Sequence, residues 1–260
     1  MKIKILILLS AILFSAAACS TVAPAPTATT APSPVPPTPT ALPLSQQVTL
    51  TSVPFEEDGK SPDYKITTQT PTLTGSEDQR VQSFNKEMTG FVQGYIADFK
   101  NKLAQMPTTP ITASSNFDVR YTLLSPSGNI LSIKFDTEGY IAGMAHPYHL
   151  SYTVNYNLEQ GKDIALADLF LPNSNYLETI ADYCKTQLGT RDIDFKDFSQ
   201  GADPTSDNYK NWNITADGLM ITFDEYQVAA YVAGPQTVTV PYSELKSIIN
   251  PQGPLAAFVK

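Results

Sequence analysis

The sequence predicts an α+β fold in which antiparallel sheets pack against one long helix and two shorter ones. Three observations carry that reading. A single apolar stripe, Val81, Phe84, Met88, Phe91, Val92, Tyr95, Ile96, Phe99 and Leu103, recurs at three- and four-residue steps and marks the long helix. Tyr148, Leu150, Tyr152, Val154, Tyr156 and Leu158 alternate with His149, Ser151, Thr153, Asn155 and Asn157, the period of a strand with one buried and one wet face. Strand-like segments are also grouped apart from the helical ones, which separates α+β from a parallel α/β sheet.

In chain order, Tyr64 and Ile66 alternate with Lys65 and Thr67 and give a first strand. Ser76-Glu77-Asp78-Gln79 has the spacing of a capping box and opens the long helix, which Pro107 and Pro110 close. Phe117 to Leu123 and Leu131 to Phe135 alternate as a hairpin around the turn Pro126-Ser127-Gly128-Asn129. The long strand from Tyr148 ends in a turn at Glu159-Gln160-Gly161-Lys162. Leu177, Ile180, Ala181, Cys184 and Leu188 form a second helical stripe, so Cys184 reads as a core thiol. Arg191 to Asn211 is polar and acidic, a long loop. Trp212 and Ile214, the pair Asp217-Gly218, then Leu219, Ile221 and Phe223 read as a hairpin. Tyr226 to Val232 and Gln236 to Val240 give further strands around Gly234, and a short helix runs from Ser243 toward Asn250-Pro251.

The start of the chain has a different character. Lys2 and Lys4 precede an apolar run from Ile5 to Phe14, followed by Ser15-Ala16-Ala17-Ala18-Cys19. That run is too short to cross a bilayer core of roughly 30 Å as a helix, so it reads as an export signal. Ser20 to Ser45 holds eight Pro and six Thr with no charge, a composition that cannot bury enough apolar surface to fold. As an extended tether, at 3.1 Å per residue, it reaches about 80 Å. The chain thus divides into a leader (1–18), a Pro/Thr-rich tether (19–47), an N-terminal α+β module (48–139), a second α+β module (140–250) and a tail (251–260). Net charge is −8, and removing Lys2 and Lys4 with the leader leaves 15 basic residues against 25 acidic, or −10. Such a surface disfavours nucleic acid and suits a cationic partner.

Standard catalytic and cofactor signatures are missing from the sequence: it has no Gly-x-Ser-x-Gly elbow, His-Glu-x-x-His, phosphate-cradling glycine loop or Cys-x-x-Cys. No catalytic residue, cofactor or metal is assigned. Its two histidines, His146 and His149, project to opposite faces if both lie in a strand, which argues against chelation. A histidine general base oriented by Asp136 or Glu138 is the enzymatic alternative. Asp192, Asp194, Asp197, Asp203 and Asp207 do not follow the order of a calcium loop and read as a solvated segment. Asp224-Glu225 is a carboxylate pair whose members diverge if the backbone is extended.

Two resemblances add to this. The Ala-Ala-Ala-Cys junction resembles the lipobox of bacterial lipoproteins, with Ala16 where Leu is commoner, and implies cleavage before Cys19 and its acylation. An ordinary signal cut after Ala18 is the alternative, and both put the remainder outside the cytoplasm. Gly143-Met144-Ala145-His146-Pro147, Asn155-Tyr156-Asn157-Leu158-x-x-Gly161, Ile164-x-Leu166-x-Asp168-Leu169-Phe170, and Gly218-Leu219-x-Ile221-x-Phe223-x-x-Tyr226-x-Val228-Ala229-x-Tyr231-x-x-Gly234 together resemble the RsiV-type domain. That domain occurs in the exterior half of lysozyme-sensing anti-sigma factors and beside some peptidoglycan deacetylase domains. The resemblance covers about residues 140 to 250 and implies an exterior binding role. His146, Pro147, Tyr148 and His149 are the implied partner contact; signalling by proteolysis and deacetylation are not carried over. The expected function is a lipid-anchored, non-catalytic protein of the cell envelope, held in the membrane through Cys19 and recognising peptidoglycan or a cationic lysozyme-type hydrolase. The alternative is a cell-wall-acting hydrolase, or a deacetylase-associated enzyme, using carboxylates near His146.

Overall fold

The computed structural model describes residues 42–106, 113–125, 128–256 and 258. The leader, Cys19, most of the tether, Pro107 and Pro110, and the first half of the Pro126–Asn129 turn lie outside the described residues. A four-residue helix α1 (Leu44–Gln47) leads into strand β1 (Thr49–Lys60), which pairs antiparallel along its whole length with β2 (Asp63–Thr74). Almost every side chain of β1 is exposed or half-exposed, so it carries no apolar alternation and the sequence reading misses it.

Helix α2 (Gln79–Ala104) buries Val81, Phe84, Met88, Val92, Phe99 and Leu103, as the stripe requires. It starts from Asp78, not from Ser76: the Asp78 carboxylate accepts from the Arg80 backbone N–H at 2.9 Å, satisfying one of the orphan donors at the helix end. Strand β3 (Ser115–Leu123) then pairs parallel with β2, the one parallel ladder of this sheet, because α2 returns the chain to the same end of the sheet. Strands β4 (Ile130–Tyr140), β5 (Tyr148–Asn157) and the two-residue β6 (Lys162–Asp163) complete it antiparallel in the order β1-β2-β3-β4-β5-β6.

After a 3-10 turn at Leu166–Leu169 come helix α3 (Tyr176–Leu188) and a second 3-10 stretch at Phe195–Ala202. Strands β7 (Trp212–Ile214), β8 (Gly218–Phe223) and β9 (Gln236–Pro241) form an antiparallel three-stranded sheet, and α4 (Tyr242–Leu245) follows. The architecture is α+β. Two expectations change. The acidic stretch 191–211 is not simply a solvated loop, because Ala202 and Tyr209 are core residues. Tyr226–Val232 is not a strand but a turn and a 3-10 segment, with Tyr226 at φ 63, a left-handed conformation that no strand tolerates.

Ala41–Lys260 is one compact unit with two apolar clusters. One lies between α2 and the six-stranded sheet, where Phe99 stacks on Phe117 with centroids 5.0 Å apart. The other gathers α3, the three-stranded sheet and α4 around Leu188, Ile221 and Leu245. A buried polar seam joins them. Ser132 Oγ donates to Asn155 Oδ1 at 2.6 Å, Asn155 Nδ2 donates to the Trp212 carbonyl at 2.7 Å, and the Ile214 N–H donates to Ser132 Oγ at 2.9 Å. Ser132 and Asn155 therefore occupy the face of the sheet that alternation assigns to solvent, while on the other face Val154, Tyr156 and Leu158 are buried as alternation requires and Leu150 and Tyr152 are partly exposed. The second half of β5 is thus covered on both faces: the second cluster lies over the polar one, and hydrogen bonds replace water there.

Candidate functional site

β6 pairs only with Tyr156 and Asn157, so the first half of β5 is a sheet edge. Asp224 and Glu225, just past the end of β8, occupy that edge. The Ser151 N–H donates to Asp224 Oδ1 at 3.0 Å and the His149 N–H donates to Glu225 Oε2 at 3.2 Å. The two carboxylates stand in for a neighbouring strand and close an edge open to intermolecular pairing. They act together because they sit in a turn and not in the extended backbone that would part them.

Glu225 also fixes His149. Its Oε1 lies 2.5 Å from His149 Nδ1, and its side chain is only 9% exposed. A carboxylate accepts, so Nδ1–H donates and Nε2 is left facing outward, 3.9 Å from Glu138 Oε2. The acid that orients this histidine is Glu225, not Asp136 or Glu138; Asp136 is instead paired with Lys134. Asp118, Arg120, Asp136, Glu138 and His149 line a shallow cleft of about 110 Å³, and Arg120 is tied to Asp118 at 2.9 Å.

His146 lies before β5, in a run of bends, and not in the strand. Its Nδ1–H donates to the Pro147 carbonyl at 2.7 Å, and its ring packs on Tyr231 with centroids 4.0 Å apart. The Tyr231 hydroxyl donates to the same Pro147 carbonyl at 2.9 Å, and Tyr226 lies 5.8 Å from Tyr231. His146, Pro147 and His149 thus meet the 225–231 segment, while Tyr148 turns to the opposite face beneath Lys102, whose Nζ is 4.6 Å from the ring. Gly139 makes room for that ring, because a Cβ there would overlap it. Around the cluster Val232 is 93% exposed, Tyr226 55% and Met144 43%. Sequence reasoning missed Glu225 and Tyr231 as members of this site; their only signal was the Tyr226-to-Gly234 spacing and the paired acids before it.

Elsewhere, Cys184 is buried, and burial pushes its thiol up to about 12, the environment of a core residue and not of a nucleophile. Among the described residues no three metal-ligating side chains converge, and no helix is long and apolar enough to cross a membrane.

Residues 167–243 match the family model described as "Protein of unknown function (DUF3298)". The chain carries a DUF3298 domain. Its Asp224, Glu225, Tyr226 and Tyr231 supply one half of the site, and His146 to His149 join them from outside the matched region. Over 174 residues the chain is 24% identical to the peptidoglycan-N-acetylmuramic acid deacetylase PdaC of Bacillus subtilis, a match covering 66% of this chain and 37% of that protein. The fold recurs in the crystal structure of a DUF3298 family member from Bacteroides fragilis, with TM-score 0.63 and 15% identity over 82% of this chain and 97% of that one. A DUF3298 family protein from Pseudomonas aeruginosa gives TM-score 0.52 and 16% identity over 78% of this chain and 94% of that one.

Proposed function

We propose that this chain is a lipid-anchored, non-catalytic recognition protein of the cell envelope, tethered through acylated Cys19 and binding peptidoglycan or a cationic lysozyme-type hydrolase working on it. The observation that carries the reading is the apolar and aromatic surface of Met144, His146, Tyr226, Tyr231 and Val232 beside the acidic rim of Asp118, Asp136 and Glu138. Large apolar groups left exposed and ringed by charge mark interaction surfaces. An acidic rim steers cationic proteins toward contact. The similarity to a peptidoglycan deacetylase supports a partner within the cell wall, as does the resemblance to the RsiV-type domain. Binding is favoured over hydrolysis by the site itself. Among the described residues the His149 ring hydrogen-bonds to Glu225 and to no hydroxyl or thiol that it could activate. The cleft beside it, about 110 Å³, is also well below the roughly 300 Å³ at which small-molecule sites begin.

The test is retention of the purified chain on isolated sacculi and on immobilised lysozyme across a salt series. The expected result is stoichiometric retention on at least one of them, with lysozyme retention weakening as salt rises. Tyr226→Ala with Val232→Ser should reduce retention at least tenfold. Absence of retention on both supports would contradict the proposal.

A further inference from the structure

A second surface, across β5 and β6 from the first, is built differently. Two clefts meet at Asp163 and Ile164, which line both, and form one trough. The smaller lobe, about 210 Å³, lies among Glu87 of α2, Tyr152 of β5, Lys210 and Trp212. The larger, about 440 Å³, is walled by Asn157, Gln160 and Lys162 on one side and by Asn250 and Gln252 on the other. Together they exceed the size at which small-molecule sites begin, roughly 300 Å³.

The walls carry both acceptors and donors. Glu87 and Asp163 are exposed residues, and among the described residues neither is in a salt bridge, although Lys210 lines the smaller lobe and Lys162 the larger. Partial loss of hydration beside the lobe raises both carboxyl groups above their ordinary range, and the negative charge of Asp163 raises Glu87 further. Two carboxylates outside any salt bridge keep their oxygens free to accept from a ligand. In the larger lobe the side-chain oxygens of Asn157 and Asn250 accept the Gln160 and Gln252 backbone N–H groups, each at 3.0 Å. That fixes both carboxamides and leaves their NH₂ groups to donate. Between the lobes and the helix, Tyr152 stacks on Phe91 with centroids 4.1 Å apart and an interplanar angle of 22°, so its ring is held in one orientation while 38% of the residue stays exposed.

We infer that this trough binds a neutral, N-acetylated saccharide strand. Glu87 and Asp163 accept from sugar hydroxyls and acetamido N–H groups, Asn157 and Asn250 donate to acetyl carbonyls and ring substituents, and the apolar face of one sugar lies on Tyr152. Glu87, Asp163 and Asp168 line the trough together with Lys162 and Lys210, so its charges nearly balance and favour neither a strongly anionic nor a strongly cationic ligand. The inference rests on the cell-wall reading above and names the ligand chemistry that reading leaves open.

The test titrates the full chain with chitin-derived N-acetylglucosamine tetramer to hexamer, with oligolysine as the cationic comparison, and follows retention on sacculi in parallel. Glu87→Gln and Tyr152→Ala should weaken oligomer binding and sacculus retention at least tenfold, and Tyr152→Phe should leave both within twofold. Glu87→Gln removes a charge that partial loss of hydration disfavours, so its thermal midpoint should not fall, which keeps loss of binding distinct from loss of fold. Retention on sacculi with wild-type behaviour of the trough variants would overturn the trough and leave the proposed function standing. Failure to bind both oligomer and sacculi would overturn the trough and the peptidoglycan arm of the proposed function. Oligolysine binding lost in Glu87→Gln, with no oligomer binding, would overturn the saccharide assignment.

Discussion

Asp78 and Glu87 sit on the same helix and respond to acid in opposite directions. The Arg80 guanidinium and then the Arg80 backbone N–H hydrogen-bond the Asp78 carboxylate and hold it at about 2 instead of 3.8. Its contribution is therefore full above pH 4 and is lost as pH falls through 3.8 toward 2. Glu87 is raised by partial loss of hydration, so its ionisation opposes folding, and the molecule is relieved of that cost as pH falls below the ordinary glutamate range. Two outcomes follow in urea titrations at fixed pH. Asp78→Asn should lower the midpoint at pH 7 and converge on wild type near pH 2. Glu87→Gln should raise it at pH 7, and the gain should vanish near pH 3. A wild-type midpoint for Asp78→Asn at pH 7 would mean that the Asp78–Arg80 contact contributes nothing to the helix end.

At the level of elements, the sequence makes legible whatever has one apolar face and one wet face. The α2 stripe, the β3 and β4 alternation, the Cys184 stripe of α3 and the β7–β8 hairpin all follow from periodicity. β1 does not, because it is an edge strand exposed on nearly every side chain. Tyr226–Val232 imitates a strand in composition while its backbone turns at Tyr226, a constraint composition does not encode. The apolar face of β5 is legible at Val154, Tyr156 and Leu158, but the burial of its other face is not, because Ser132 and Asn155 are polar and only their partners on β7 reveal it. The same limit applies to the candidate site. His146 and His149 could be named from sequence, but Glu225 lies 76 residues from His149 and its role depends on a turn bringing it to a sheet edge. The seam itself is testable. Ser132→Ala removes the partner of the buried Ile214 N–H and Asn155 Oδ1, and leaving such groups unsatisfied costs about 1–3 kcal/mol. Chemical denaturation should register that loss, and a change under a few tenths of a kcal/mol would mean that the seam contributes little.

On the proposed function, the whole molecule is an anchor, a spacer and a binding body. Acylation of Cys19 predicts that labelled palmitate enters the wild-type chain and not Cys19→Ser, and that this variant leaves the membrane fraction. Equal membrane retention of the two would remove the anchor from the account. The binding body presents two surfaces of different chemistry, an apolar patch with an acidic rim at His146–Val232 and a polar trough along β5 and β6. The proposed removal of the leader would leave a charge of −10, which favours a cationic protein at the first, and the hydrogen-bonding groups of the second favour a saccharide. The most direct measurement incubates the full chain with purified sacculi and quantifies, in one experiment, the protein bound and the muropeptides released into solution. The account predicts saturable binding with release no greater than in the protein-free control. Soluble muropeptides accumulating in proportion to time and protein, and abolished by His149→Ala, would contradict it.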